Sequence, residues 1–397
     1  MSLETRNEIN KYLVIFLDIT NYCNARCRFC YNYSNLGQKP VNMTINIFRK
    51  AISFLPFVPD CNFFLSCRYE PTIHPEFFVL LKEIPSEYKN KVSFTTNLVK
   101  KLSREDIITL TNSNVHHINI SLETFNRTLY THLTQVDHEN FYTNLENIAG
   151  VFSEYPDAPK INFITMILND NFNELVDIIT TAHKMFPCSS HHLRTPYFGI
   201  TDSYKKFLTD QLLTKECLDN KKEQLLDLGN DVSLDTSMNL DTYNQILSGN
   251  AKPSSEHFHK VRIESNGQME LYGEKLDLGA IDNPYSYICR YTNMLKSIKG
   301  KKVYLFGAGF VHNVWMEHYS EGLDVICVFD NDESKWETVS SSGLPVRSPS
   351  ELPELLSAGD RLIITSIYHK EISNQLKVLS IKDYFVFVDS WIYPREN

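Results

Sequence analysis

The chain has 397 residues, 42% of them hydrophobic and 22% charged, which is enough for two or three domains with buried cores. Its formal net charge of −9 argues against the basic face that nucleic acids require and against a polybasic membrane surface. No apolar run approaches the length of a membrane span, and the polar N-terminus is not that of a signal peptide. Nine cysteines in a chain of this length do not form the pattern of a secreted disulfide framework, so we expect a cytoplasmic protein. From the net charge we expect neither nucleic acid nor a membrane as a partner.

Short apolar runs alternate with helical patterns from residue 13 to residue 194. Apolar residues at helical spacing predict a helix behind an N-cap at Thr44 and another over about His138–Phe152. Strict alternation of strands and helices indicates a parallel sheet, and six units fall short of the eight in a full barrel. We therefore predict an α/β fold in which residues 1–200 form a partial (β/α)6 barrel of the TIM type. Its strands are predicted at Leu13–Leu17, Asn62–Leu65, Val92–Thr96, His116–Ile120, Ile161–Leu168 and His191–Arg194.

Two further regions follow the predicted barrel. Residues 201–297 are predicted to be surface linker helices and a hairpin, because Val261–Ser265 and Gln268–Tyr272 flank Asn266-Gly267, a pair that suits a type I′ turn. Residues 298–397 are predicted to form a small Rossmann-like domain with a parallel sheet. Its elements are predicted at Lys302–Phe306, Val311–Tyr319, Asp324–Phe329, Leu362–Ile364, His369–Leu379 and Phe385–Val388.

Three cysteines, Cys23, Cys27 and Cys30, follow the first predicted strand with the spacing CxxxCxxC. Three thiolates on so short a loop can converge on one metal centre, and in parallel α/β folds ligands bind at the carboxyl ends of the strands. Structural zinc sites and ordinary ferredoxin clusters take four protein ligands. Three ligands favour a 4Fe–4S cluster with one open iron. A zinc knuckle with a distant fourth ligand, or three unrelated buried thiols, are the alternatives.

Polar groups also follow the next three predicted strands. Cys67-Arg-Tyr-Glu70-Pro71 comes after the second, Thr96-Asn97 ends the third, and Ser121-Leu-Glu123 ends the fourth. With the cysteine loop, these motifs resemble those of the radical SAM superfamily, whose segment after the second strand reads GGEP. The resemblance covers the first two-thirds of the chain. It implies an enzyme with a 4Fe–4S cluster, S-adenosylmethionine and an electron donor such as flavodoxin or ferredoxin.

The resemblance implies a role for each motif. The three cysteines would hold the cluster, and its open iron would take the amino and carboxylate groups of S-adenosylmethionine. Reductive cleavage of the sulfonium would release a 5′-deoxyadenosyl radical that abstracts a substrate hydrogen, so the hard chemistry belongs to the cofactor. The residues assigned to the cofactor are Phe29 at the adenine, Glu70 at the methionyl ammonium, Asn97 at a neighbouring strand end, and Ser121 and Glu123 at the ribose hydroxyls.

Several of these residues have an ordinary structural alternative. Glu70-Pro71 alone is also a helix-start turn, and Asn97 and Ser121 are common caps at strand ends. Arg194, at the end of the sixth predicted strand, either binds a cofactor carboxylate or pairs at the surface. Cys67 would lie near the mouth of the barrel, as a hydrogen-atom donor or as a small buried thiol.

The chain departs from the family pattern at two places. Arg68-Tyr69 replaces the glycine pair of GGEP, so conformations open only to glycine are not accessible there. The hairpin around Asn266-Gly267 resembles the SPASM/twitch extension of many relatives, in which a cysteine begins an auxiliary cluster. Here the matching stretch is Glu270-Leu-Tyr272-Gly, and the six remaining cysteines contain no CxxC pair. We therefore predict a degenerate extension and a single cluster.

The C-terminal region contains Gly307-Ala-Gly309, with Asp330 about twenty residues later. This is a dinucleotide-binding fingerprint without its third glycine. The glycines would let a phosphate approach a helix N-terminus, and Asp330 could meet a ribose. A GxG strand–turn–helix is also found where only α/β packing requires it. Nucleotide binding and a purely structural turn therefore both stay open.

Three classes of function follow from the sequence. The favoured hypothesis is an oxidoreductase-type radical SAM enzyme that dehydrogenates, epimerises or rearranges a small molecule such as a sugar or nucleotide-linked metabolite. A peptide-modifying maturase is the second, although we expect no leader-binding domain before the first strand at Leu13. A non-catalytic iron–sulfur scaffold with an interaction domain is the third. Glu70, Ser121 and Glu123 count against the scaffold.

Overall fold

The computed structural model describes residues 13–30, 39–66, 68–197, 201–248, 259–271, 274–280, 297–320, 322–366 and 368–387. Its strands form one ten-stranded sheet and one five-stranded sheet. The first sheet contains the predicted barrel strands, and the second contains the predicted C-terminal strands. The α/β fold class is confirmed.

Seven consecutive parallel strands form most of the first sheet. Each predicted barrel strand is present within one or two residues of its predicted ends. The seventh, β7, lies in the polar region where the sequence predicts only linker helices and a hairpin. The strands are β1 (Leu13–Leu17), β2 (Phe63–Phe64), β3 (Val92–Thr96), β4 (His117–Ser121), β5 (Lys160–Met166), β6 (Ser190–Arg194) and β7 (Val232–Asp235).

Helices separate these strands, and their starts follow local capping chemistry. The Thr44 side chain accepts from Ile47 N at 3.4 Å, and Ser103 and Asp106 form a reciprocal capping box. The helices are α1 (Ile45–Ile52), α2 (Phe77–Lys82), α3 (Arg104–Thr111), α4 (Arg127–Thr134), α5 (His138–Phe152), α6 (Leu175–Met185), α7 (Asp202–Gln211), α8 (Lys215–Leu226) and α9 (Leu240–Leu247).

The two faces of the parallel sheet differ in chemistry. Phe94, Ile118 and Phe163 are fully buried in one apolar core with side chains of the helices. Residues next to them in sequence, such as Asn119 and Asn162, point to the opposite face because side chains alternate along a strand. We call this opposite face the inner face. It is polar, and it opens at the strand ends where the cysteine loop begins.

A hairpin extends the sheet beyond β1. β8 (His259–Ile263) pairs parallel with β1, and β9 (Gln268–Leu271) and β10 (Glu274–Asp277) follow antiparallel. The hairpin prediction is confirmed, but the predicted type I′ turn is wrong. Gly267 N donates to Glu264 O at 2.8 Å, and of the two turn residues only Gly267 has a positive φ, of 86°. A type I′ turn needs two such residues, so the turn is a type I turn with a bulge at the glycine.

The second sheet is entirely parallel, with the order β13-β12-β11-β14-β15. Counted from β11 this is the order 3-2-1-4-5, which matches the first five strands of the doubly wound order 3-2-1-4-5-6. Of the predicted last strand, Val388 lies outside the described residues. The elements are β11 (Lys302–Phe306), α10 (Phe310–Tyr319), β12 (Asp324–Phe329), β13 (Val346–Arg347), α11 (Leu352–Leu355), β14 (Arg361–Ile364), α12 (His369–Val378) and β15 (Tyr384–Val386).

No helix in the described part of the chain combines the length and the apolar character needed to cross a bilayer.

Candidate functional site

The cysteine loop is held by the C-terminal end of α4. Arg26 N donates to Thr134 O at 3.1 Å, and Arg28 N donates to Leu133 O at 2.8 Å. The Arg26 guanidinium closes the loop from inside, because its Nη1 donates to Cys23 O at 2.7 Å. The last carbonyls of a helix have no partner within it, so they are free to fix this loop. Sequence reasoning missed α4, although Asn126 is a recognisable N-cap.

The three loop thiols interact electrostatically with one another and with two carboxylates. Burial, together with the charges of Glu70 and Cys30, raises the pKa of Cys23 to about 12. Burial raises the pKa of Cys27 well above its ordinary value, with contributions from both other cysteines and from Glu123. Three thiols and two carboxylates, all of which are negative when deprotonated, therefore lie close together, and a bound cation would stabilise their charged forms. Thiolates are the ligands of iron–sulfur clusters, so the donor set fits such a cluster.

Glu70 is 2% exposed and its carboxylate is surrounded by donors. Oε1 accepts from Thr72 Oγ1 at 2.6 Å and from Thr96 Oγ1 at 2.8 Å. Oε2 accepts from Asn97 N at 2.6 Å. Burial raises the pKa of Glu70, and these hydrogen bonds oppose the rise. Oε1 is saturated, so Oε2 is the oxygen with room for a further donor.

Asn97 links the second and third strand ends to the cysteine loop. Its Nδ2 donates to Asn24 Oδ1 at 2.9 Å and to Cys23 Sγ at 3.6 Å. Its backbone N–H is the donor to Glu70. The capping interpretation also holds, since Asn97 Oδ1 accepts from Val99 N at 3.0 Å. One side chain therefore caps its own strand and contacts a predicted ligand.

Glu123 and Arg194 lie together past the ends of β4 and β6. Glu123 Oε2 accepts from Met166 N at 2.8 Å. Burial raises the pKa of Glu123 to about 8, while Met166 N–H and the Arg194 charge lower it. Arg194 Nη1 donates to Tyr197 Oη at 2.9 Å, and its Nε is buried with no partner among the described residues. A buried guanidinium N–H without an acceptor is expensive, so this donor is suited to a bound ligand.

Phe29 and Ser121 occupy different settings. The Phe29 ring packs with Leu133 and Leu168 in a small apolar cluster. The Phe29 carbonyl accepts from Tyr204 Oη of α7 at 2.9 Å, which uses one of its two lone pairs. Ser121 is half-buried at the end of β4. Cys67 lies outside the described residues.

A row of polar side chains crosses the inner face below these strand ends. Asn162 Nδ2 donates to Asn119 Oδ1 at 2.8 Å, and Ser190 Oγ donates to Asn162 Oδ1 at 2.8 Å. Asn119 Nδ2 reaches Thr95 Oγ1 at 3.5 Å. The four residues are direct cross-strand neighbours. We call Thr95, Asn119, Asn162 and Ser190 the polar ladder. Sequence reasoning missed it, although alternate polar residues in HINIS and KINFITM are its signal.

The glycine turn of the C-terminal sheet borders a cavity of about 630 Å³. Gly307 has φ of 108°, and a Cβ there would lie 2.7 Å from Thr365 O, so glycine is required. A Cβ at Gly309 would meet nothing within 4 Å. Asp330 Oδ2 accepts from Ala308 N at 2.7 Å, and Oδ1 accepts from Asp332 N at 2.9 Å. Asp330 therefore ties the glycine turn to the following loop.

Comparison with known proteins agrees with the geometry of the barrel. The family model described as "Radical SAM superfamily" matches residues 17–182. The chain carries a radical SAM domain. This confirms the resemblance inferred from the motifs, and the family implies a 4Fe–4S cluster and S-adenosylmethionine. The matched segment includes the cysteine loop, Glu70, Asn97 and Glu123.

Two curated proteins are similar to the radical SAM domain. One is a "Probable GTP 3′,8-cyclase" of Methanocaldococcus jannaschii, 22% identical over 230 residues, covering 53% of this chain and 72% of that protein. The other is the "GTP 3′,8-cyclase" of Pasteurella multocida, 23% identical over 171 residues, covering 42% of this chain and 49% of that protein. At 22–23% identity, the activity of these two proteins is not assigned to this chain.

Two solved proteins are similar in structure to part of the chain. Streptococcus suis SuiB bound to S-adenosylmethionine matches with a TM-score of 0.51 at 17% identity, covering 72% of this chain and 68% of that one. The enzyme anSMEcpe with bound AdoMet matches with a TM-score of 0.43 at 19% identity, over 68% of this chain and 73–76% of that one. The SuiB match supports the fold of the radical SAM domain and leaves the reaction open.

Proposed function

We propose that the chain is a radical SAM enzyme that abstracts hydrogen from a small polar molecule, using one cluster held by Cys23, Cys27 and Cys30. The observation that carries the proposal is the Asn97 side chain, which contacts Cys23 Sγ while its backbone binds Glu70. The ends of β1, β2 and β3 thereby meet at one place. With its cluster and S-adenosylmethionine bound, the site supplies reductive cleavage of a sulfonium and a 5′-deoxyadenosyl radical.

The residues of this chain then bind and orient the cofactor. Glu70 Oε2 accepts from the methionyl ammonium in addition to Asn97 N, a charge-assisted bond. The Arg194 Nε, which has no partner among the described residues, donates to the carboxylate or to a ribose hydroxyl of S-adenosylmethionine. Glu123 and Ser121 accept from the ribose, and the Phe29 carbonyl offers its second lone pair to the adenine. Burial of these groups excludes water from the radical.

The polar ladder supports a small, hydrogen-bonding substrate. Amide and hydroxyl side chains line the inner face between one and four residues, or roughly 3–13 Å, below the ends of their strands. Such a surface suits sugar or nucleotide groups. The similarity to GTP 3′,8-cyclases points the same way, towards a nucleotide or nucleotide-linked metabolite. A peptide substrate is the second candidate, since SuiB has been crystallised with its precursor peptide.

Electron delivery requires an exposed path to the cluster loop. Arg28 is exposed beside Cys27 and Cys30, and its guanidinium reaches the His132 ring at 3.0 Å. An exposed guanidinium at this position suits an acidic reductant such as flavodoxin or ferredoxin.

The C-terminal sheet is proposed to bind a nucleotide at its glycine turn. Gly309 leaves open space where a side chain would stand, next to the N-terminus of α10. Gly309→Ala should weaken nucleotide binding at least tenfold without unfolding the domain. Calorimetry with nucleotides and nucleotide sugars tests this, and no binding across that panel would leave the turn a purely structural role.

The catalytic proposal is tested by anaerobic reconstitution, followed by reduction in the presence of S-adenosylmethionine. The wild-type chain should bind four irons and release 5′-deoxyadenosine, and Cys27→Ala should lose both. Cys188→Ser is the matched control, because Cys188 is an exposed cysteine away from the loop. Four irons without nucleoside formation would favour a scaffold, and eight irons would overturn the single cluster.

Substrate class is tested in the same assay. Nucleotides and nucleotide sugars should increase 5′-deoxyadenosine formation, whereas an increase only with peptides would favour the maturase.

A further inference from the structure

A second group of metal-ligating side chains lies at the opposite end of the barrel from the cysteine loop. Cys61 stands just before β2, and His116 and His117 stand at the start of β4. One ligand atom from each residue lies within 4.8 Å of the other two. A thiolate and two imidazoles around one point form the donor set of zinc and related ions.

The segment that leads into β3 positions this group. Cys61 N donates to Asn90 O at 3.0 Å, and His116 N donates to Val92 O at 2.7 Å. The Cys61 thiol also lies 3.7 Å from Asn90 O. Residues from β2 and β4 are therefore brought together across the intervening strand by backbone hydrogen bonds.

The charges around the group are compatible with a bound cation. Burial lowers the pKa of both histidines, and the charges of His116 and Lys160 add to this at His117, whose pKa falls to about 4. Asp60 acts electrostatically on Cys61 and His116 and offsets Lys160. Lys89 also faces His116, but its Nζ donates to Asp157 O at 2.8 Å.

The orientation of the two imidazole rings suits the binding of one ion. The His116 and His117 ring centroids are 4.1 Å apart and the rings are perpendicular. Neighbouring residues of a regular strand point to opposite faces, so this contact is possible only because His116 precedes β4. Perpendicular imidazoles can direct one nitrogen each towards a common ion.

We propose that Cys61, His116 and His117 bind one divalent transition-metal ion of the zinc class, with Asp60 or water in the fourth position. The site is separate from the cluster, and it does not depend on the proposed reaction. The ion would link the starts of β2 and β4 across β3. Exposed at one side, it is reachable from solvent without opening the fold.

The test uses the full-length chain with Cys23, Cys27 and Cys30 changed to alanine, which removes the competing thiols. Zinc titration against a chromophoric chelator should give one site. Cys61→Ser or His117→Ala should weaken it by more than about 100-fold, since loss of even an outer-shell partner reduces metal affinity about 10–100-fold. Cys188→Ser is the matched control and should leave it unchanged.

Cobalt substitution gives a second readout. Co²⁺ should produce a thiolate-to-metal absorption that Cys61→Ser abolishes, and zinc should raise the melting temperature of the parent but not of Cys61→Ser. Circular dichroism checks that each variant is folded. Absence of zinc binding by the folded parent, or equal binding by Cys61→Ser, would overturn the proposal.

Discussion

The backbone N–H of Asn97 donates to Oε2 of Glu70 at 2.6 Å, which joins the ends of β2 and β3 at the cysteine loop. The same asparagine reaches Cys23 Sγ through its side chain. A displacement of either strand end would therefore move the proposed cluster ligand. One connected group of hydrogen bonds therefore fixes the positions of Glu70, Asn97 and Cys23 relative to one another.

Glu70→Gln should weaken S-adenosylmethionine binding by about 10–100-fold, because a hydrogen bond to a charged group contributes about 1.5–3 kcal/mol. It should also destabilise the fold, since an NH₂ group would face the donors Thr72, Thr96 or Asn97. Calorimetry on the reconstituted protein and urea unfolding measure the two effects. Glu76→Gln, at an exposed residue of the same segment, is the control. Unchanged affinity in Glu70→Gln would remove Glu70 from the cofactor site.

Glu123 should make the metal-free protein less stable as the pH rises. Its pKa is raised from 4.5 to about 8, so between these values the folded chain keeps a proton that the unfolded chain releases. The free energy of unfolding should fall with pH in this window by up to about 1.4 kcal/mol per pH unit. Glu123→Gln should remove that slope. Chemical unfolding at pH 5, 6, 7 and 8 compares the two proteins. The same change of unfolding free energy with pH in both would contradict a raised pKa at Glu123.

Arg262→Met should destabilise the protein by about 3–5 kcal/mol. Arg262 Nη2 binds Asp18 Oδ2 at 2.5 Å, and the two side chains are 7% and 1% exposed, so the variant removes a charge that compensates a buried carboxylate. Asp18→Asn in the same chain should restore part of the loss. A double-mutant cycle by urea unfolding measures the coupling. A loss below about 1 kcal/mol would show that the pair does not hold the hairpin to β1.

Gly307→Ala and Gly309→Ala should behave differently. At Gly307 the positive φ and the close approach of Thr365 O predict a loss of about 1–3 kcal/mol. At Gly309 the open space predicts a change within about 0.5 kcal/mol. Thermal unfolding of the two variants measures the contrast. Equal stabilities of the two variants would mean that the backbone at residue 307 accommodates a Cβ without a loss of stability.

The barrel could be predicted from the sequence where local pattern and tertiary environment agree. Leu13–Leu17, of sequence LVIFL, is a strand with the predicted ends, because buried parallel strands are continuous apolar runs. β7, of sequence Val-Ser-Leu-Asp, was missed because it lies at the sheet edge and is only partly buried. An edge strand of four residues carries too little hydrophobic signal to compete with its polar surroundings.

The candidate site was predictable in its members but not in its connections. The order of Cys23, Glu70, Asn97 and Glu123 along the chain places them at neighbouring strand ends. That Asn97 contacts both Glu70 and Cys23, or that Tyr204 contacts Phe29 O, depends on distances across 27 to 175 residues of sequence. No local pattern encodes such contacts. The roles assigned to individual residues stay predictions.

The pairing of β8 with β1 also bears on the order of events during synthesis. The cysteines follow β1, and β1 gains its second neighbour only from residues 259–263, with Asp18 and Arg262 separated by 244 positions. A nascent chain that has not reached this hairpin has β1 as an open edge. The strand that leads into the cysteine loop then has one neighbour instead of two, so a cluster inserted before that point would be bound to an unfinished site. We expect chains truncated before residue 259 to lose iron, even though every proposed ligand is present.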